Sequence, residues 1–130
     1  MAQAIQVVST EAKRLSDTKV YGEDISALCA VRASSDTEIL KAETSTKDNS
    51  TVLGVVLEGK LTGSSGSVLL FGKLEDASFT FPVNADLFLG SGGAITSTAP
   101  SLPGDVYSTQ IGHSLGLGAI FISIDKPVKL

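Results

Sequence analysis

Few residues in this chain are equipped for covalent or metal chemistry. It has one histidine, His113, and one cysteine, Cys29. A serine-protease-type triad would set His113 between a serine and a carboxylate, a juxtaposition that spacing alone does not reveal. No serine nucleophile elbow is expected. His113 follows Ile111 and Gly112 at an expected strand end, and reads as a hydrogen-bonded or solvent-facing histidine. One imidazole and one thiol cannot fill a tetrahedral nitrogen/sulfur site within a single subunit. Asp48-Asn49-Ser50 and Asn84-Ala85-Asp86 are oxygen-rich but lack calcium-loop spacing, so they read as Asx turns. Gly63-Ser64-Ser65-Gly66 and Gly90-Ser91-Gly92-Gly93 lack the Lys-Ser/Thr ending and following helix of a phosphate loop, so they read as turns. The acid pairs Glu23-Asp24 and Glu75-Asp76 fall in expected loops and read as solvated turn residues. No catalytic, cofactor or metal residue is assigned, and no enzyme is expected.

The composition asks for a scaffold rather than a reactor. The 130 residues suit one domain, and 42% are hydrophobic while only 5% are aromatic and none is Trp. The core must therefore be Val, Leu, Ile and Ala. Thirteen glycines between short apolar runs point to many turns and β structure. The formal net charge is −4, and the ten basic residues are scattered, which disfavours nucleic acid as a partner. No run approaches the roughly 20 apolar residues that span a bilayer, and Met1 to Thr10 does not read as a signal peptide. A mean hydropathy of +0.26 without a membrane signal suggests surface hidden against other subunits. Cys29, between Leu28 and Ala30, reads as a buried thiol, which fits synthesis in a reducing cytosol.

The elements follow from apolar runs and punctuation. Ile5 to Val8 is a short apolar run, and Glu11 to Asp17 a polar spacer with room for one helical turn. Strands are expected at Thr18 to Tyr21, Leu28 to Ala33, Glu38 to Glu43, Thr51 to Leu57, Ser67 to Leu74, Ala77 to Val83, Leu87 to Leu89, Ile95 to Thr98, Val106 to Ile111 and Ala119 to Asp125. In the last, Ile120, Ile122 and Ile124 share one face. Thr44 to Ser50 reads as a loop and the one plausible hinge, Glu58 to Gly66 as a hairpin loop, and Ser114 to Gly118 as a turn. Thr51 to Leu57 and Ser67 to Leu74 are apolar on both faces. One face can fill a small closed barrel, and the other then needs a partner.

The order of pieces carries a resemblance. It runs from Gly22-Glu23-Asp24-Ile25-Ser26-Ala27-Leu28 through Val52-Leu53-Gly54-Val55-Val56 and Leu69-Leu70-Phe71-Gly72. It continues with Leu87-Phe88-Leu89-Gly90 through Gly93-Ala94-Ile95-Thr96, then Pro103-Gly104, Gln110-Ile111-Gly112-His113 and Ile120-Phe121-Ile122-Ser123-Ile124. This resembles the small β-barrel structural proteins of tailed-bacteriophage particles, the capsid decoration (cement) proteins and fibre-attachment modules, over roughly residues 18 to 128. The resemblance implies an all-β, small antiparallel β-barrel (β-tulip-like) with an extended N-terminal arm and little helix. It also implies a non-enzymatic virion protein made in the bacterial cytoplasm, a homo-oligomer and often a trimer. Its partners would be the major capsid protein or other virion proteins, with no cofactor, nucleic acid or membrane. Decoration of the head is the first expectation and a tail or fibre adaptor or receptor-binding module the second. Residues 1–17 form the arm and spacer and 18–130 the barrel. Ile5, Val7, Val8, Val55 and Leu69 are the expected interface residues, the first three clasping a neighbour by strand addition.

Overall fold

The computed structural model describes residues 14–130, so Ile5, Val7 and Val8 lie outside the described residues. The apolar runs and their flanks form strands β1 (Leu15–Tyr21), β2 (Ala30–Ala33), β3 (Glu38–Lys41), β4 (Gly54–Val56), β5 (Ser65–Glu75), β6 (Asp86–Leu89), β7 (Ile95–Thr96), β8 (Tyr107–Ser108), β9 (Gln110–Gly116), β10 (Ala119–Ser123) and β11 (Val128–Lys129). One short 3-10 turn, Ser91–Gly93, links β6 to β7. The all-β expectation, with little helix, therefore holds.

Nine strands join in the order β1-β3-β2-β4-β5-β10-β9-β6-β7, and β1 also pairs with β5. That extra pairing closes β1, β3, β2, β4 and β5 into a ring. Every pairing in the ring is antiparallel except β1–β3. The 11-residue β5 makes this possible because it serves two sheets. Leu69 lies opposite both Ser16 and Val55, and Phe71 opposite both Leu15 and Ser123. One edge of β5 therefore carries β1, and the other carries β4 and then β10. Beyond the ring the sheet continues as an open layer through β10, β9, β6 and β7. A separate small pairing joins β8 to β11.

Side chains alternate across a strand, and here the two sets enter two cores. Tyr21, Val31, Ile39, Val56 and Val68, one from each ring strand, fill the ring together with Ile25 and Cys29. Their neighbours Ala30, Val55 and Leu69 point out of it, against Leu74, Leu87, Leu89, Ile111, Ile120, Ile122 and Phe79. Both apolar faces of β4 and of the first half of β5 are thus covered within one chain. The expectation that the second face needs a partner is corrected: the open layer folds back and supplies it. Ile120 and Ile122 are fully buried and Ile124 packs against them, as the alternation predicts.

Several boundaries differ for physical reasons. β1 starts at Leu15, so residues 15–17 of the expected spacer are strand paired to β5 rather than helical. Ala77 to Val83 is not a strand. The Asp76 carboxylate accepts from the Ser78 N–H at 2.9 Å, and the Phe79 N–H donates to the Asp76 carbonyl, so the chain turns and drops Phe79 into the core. β9 runs on to Gly116, leaving only Leu117 and Gly118 for the expected turn. Thr44 to Ser50 is no hinge: the Thr44 carbonyl accepts from the N–H groups of Val106 and Tyr107, and Thr109 Oγ1 donates to the Ser50 carbonyl at 2.6 Å.

The acids expected to be mere solvated turns are fasteners. Glu23 Oε2 accepts from the Lys41 N–H at 2.8 Å. Asp24 Oδ1 accepts from the Thr62 N–H at 2.8 Å and the Thr62 hydroxyl at 3.0 Å, tying the β1–β2 loop to the β4–β5 loop. The Thr62 backbone N–H holds the Asp24 carboxyl below the ordinary Asp value, and the Ser78 backbone N–H does the same for Asp76. Carboxyls that bind protons more weakly when folded add stability above the ordinary Asp pKa of about 3.9 and lose it as pH falls through the folded value. The melting temperature should therefore change little from neutral pH down to about 5 and drop below about 4. Asp24→Asn should flatten part of that drop. Melting curves that stay level to about pH 2 would contradict the assignment.

Candidate interaction surface

The strands that bury Ile120 and Ile122 must turn Phe121 outward. Register places Phe121 beside Lys73 on one side and His113 on the other, with Phe71 two residues along β5 opposite Ser123. Phe71 and Phe121 meet edge to face, with ring centroids 5.2 Å apart. His113 stacks on the other side of Phe121 at 5.7 Å. Leu15 of β1 lies directly opposite Phe71, and Leu115 shares the face of His113 by alternation along β9. An aromatic and aliphatic ribbon thus crosses four strands on the outer face. Leu15 is 57% and Phe71 41% exposed. The loop tips add Leu61 and Leu117, which are 70% and 83% exposed.

Of the expected interface residues, the two that are described fall elsewhere, and Ile5, Val7 and Val8 lie outside the described residues. Val55 and Leu69 are fully buried and directly opposite each other on β4 and β5, so they are core and not interface. Their assignment failed because a run apolar on both faces was read as one core face and one contact face. The exposed ribbon was legible in part: alternation within Ala119 to Asp125 puts Phe121 opposite the isoleucines. Phe71 was harder to find, because it sits at the end of the apolar run Val68 to Leu70.

The chemistry-bearing residues do not converge. Gly112-His113-Ser114-Leu115-Gly116 does fit the G-x-S-x-G pattern, contrary to the expectation that no elbow is present. The string lies inside β9 and not on a strand-to-helix turn, which is the context the elbow requires. Ser114 is fully buried; its hydroxyl donates to the Phe81 carbonyl at 3.2 Å and accepts from the Gly116 N–H at 3.1 Å. His113, the preceding residue, points to the opposite face. Cys29 is buried and its Sγ donates to the Gly92 carbonyl at 3.2 Å. Burial pushes its thiol pKa up, with Glu23 and Glu43 adding to the effect against an opposing pull from Lys41, which keeps it in the unreactive protonated form.

A cleft of about 440 Å³ is lined by Arg32, Ala33, Ser34, Asp48, Thr51, Val52 and Leu53. Arg32 Nε is buried there without a hydrogen-bond partner among the described residues. Among the described residues no group of three or more His, Cys, Asp or Glu could hold a metal ion. No helix of the described residues is long and apolar enough to cross a membrane.

No protein-family model and no curated protein matches the chain. Among solved structures it is similar to the head fiber gp8.5 N base of bacteriophage phi29, at 18% identity and a TM-score of 0.44, over 90% of this chain and 98% of that one. A TM-score this low falls short of a shared fold.

Proposed function

We propose that this chain is a non-enzymatic structural protein of a tailed-phage particle, a capsid decoration (cement) protein that binds the head and stiffens it. It acts by contact alone: bridging neighbouring shell subunits adds buried area that opposes their separation. The observation that carries the reading is the outer-face ribbon of exposed Leu15, Phe71 and Leu115 with half-buried Phe121 and His113 between them. Aromatic side chains are the usual anchors of protein interfaces; Tyr21 and Phe79 serve the cores, while Phe71 stays 41% exposed on the outer face. The ordered series of strand and turn motifs that resembles phage β-barrel proteins supplies the setting.

Phe71→Ser tests it. Because Phe71 is partly exposed, the variant should stay folded and lose only a few degrees of melting temperature. Its affinity for purified heads lacking the protein should fall at least about tenfold, the lower end of an interface hot spot. Head binding that is unchanged in a folded Phe71→Ser, Phe121→Ser double variant would refute this face as the contact.

A further inference from the structure

Among the described residues, strand β5 has an open edge. β1 covers it only as far as Phe71, and from Gly72 to Glu75 the strand pairs with β10 alone. Among the described residues no strand lies along the other side of this stretch. An open edge is a template for a further strand.

The charges on this edge select the occupant. Lys73 and Glu75 are on the outer face, with exposed side chains, and pair with each other at 3.4 Å. Extending β1 backward in its present register would set Lys13 opposite Lys73 and Glu11 opposite Glu75. Like charges directly opposite each other destabilise a pairing, which disfavours that register. A second copy of β5 suits the edge well. When two such strands run antiparallel about a two-fold axis through Leu74, Lys73 of each copy faces Glu75 of the other. Gly72 then faces Asp76, and Leu74 faces its own equivalent on the core side. A uniformly charged edge would repel its copy; this one is self-complementary.

We infer that the chain pairs with a second copy of itself through the Gly72–Asp76 edge of β5, joining two open layers into one continuous sheet. The two copies would present their Phe71–Phe121 ribbons on the same side of the joined sheet. This inference does not depend on the partner proposed above, because it is read in solution without any particle.

A short strand addition buries little area, so the dimer should be weak, with a dissociation constant on the order of 10 µM. Sedimentation velocity on the full chain, from about 1 to 200 µM, reads it directly. Lys73→Glu, and separately Glu75→Lys, places like charges opposite each other twice per dimer and should weaken association at least about tenfold. Combining Lys73→Glu with Glu75→Lys restores the pairing and should restore the dimer. An equimolar mixture of the two single variants should form a mixed dimer tighter than either alone. Both sites are exposed, so folding is retained, as circular dichroism will verify. A wild-type monomer throughout the range, as expected if another segment covers the edge, would overturn the inference. So would an oligomer indifferent to both single reversals.

Discussion

Leu69→Lys should abolish folding, whereas Leu61→Lys should leave the protein folded with an almost unchanged melting temperature. Leu69 is fully buried, faces Val55 across the β4–β5 pairing and packs among Leu74, Ile120 and Ile122. A lysine there would bury an ammonium with no counter-charge among its apolar neighbours, or force the open layer off the ring. Either cost is several kcal/mol, comparable with the whole stability of a domain this size, about 5–15 kcal/mol. Leu61 is largely exposed on the β4–β5 loop, where a substitution falls within about 0.5 kcal/mol. Val55→Lys should behave like Leu69→Lys. The measurement is the far-ultraviolet circular dichroism and melting curve of each purified variant. A folded Leu69→Lys monomer would mean that the ring and the open layer do not share this core.

The second large effect belongs to Gly93, at the end of the 3-10 turn between β6 and β7. Its φ is +83°, in the left-handed region that side chains rarely adopt, and it sits against Cys29 and Ala30 at the start of β2. A Cβ added at Gly93 would overlap both Cys29 Sγ and the Ala30 carbonyl oxygen. Gly93→Ala therefore combines a strained backbone with overpacking, and should cost about 3 kcal/mol or more. For a domain of this size that lowers the melting temperature by at least about 10 °C. Gly63, on the exposed β4–β5 loop, supplies the control. It also has positive φ but meets nothing within 4 Å, so Gly63→Ala should cost only the backbone strain, about 1–2 kcal/mol. Equal losses in the two variants would show that the contact with Cys29 and Ala30 adds nothing.

What the sequence revealed depended on how local the cause was. Alternation in Ala119 to Asp125 was sufficient to assign the core face of β10, and Gly90 to Gly93 was correctly read as a turn, whereas Ser65 and Gly66 of the other glycine-rich string already belong to β5. The doubly apolar runs at Thr51 to Leu57 and Ser67 to Leu74 pointed to strands covered on both sides, which is what the two cores provide. The identity of the cover was not local. The pairing of Leu15 to Val20 with Ser65 to Phe71 closes the ring across some fifty residues, and nothing in either segment announces it. Val55 and Leu69 were consequently assigned to a neighbour that the chain itself supplies. Glu23 and Asp24 looked like solvated acids because their partners, the N–H groups of Lys41 and Thr62, are backbone groups that every sequence possesses. The outward Phe121 was implied by the isoleucines around it, but its contacts with Phe71 and His113 required the register of three strands.

The proposed role, binding a phage head and strengthening it, can be tested directly. The direct measurement is to add the purified chain to heads of the corresponding phage that lack it, and to record bound copies per particle together with the temperature at which the heads release DNA. The account predicts saturable binding at many copies distributed over the shell, and a higher release temperature once the sites are filled. Absence of binding to heads, with only a few copies found on tails or fibres of intact particles, would contradict it.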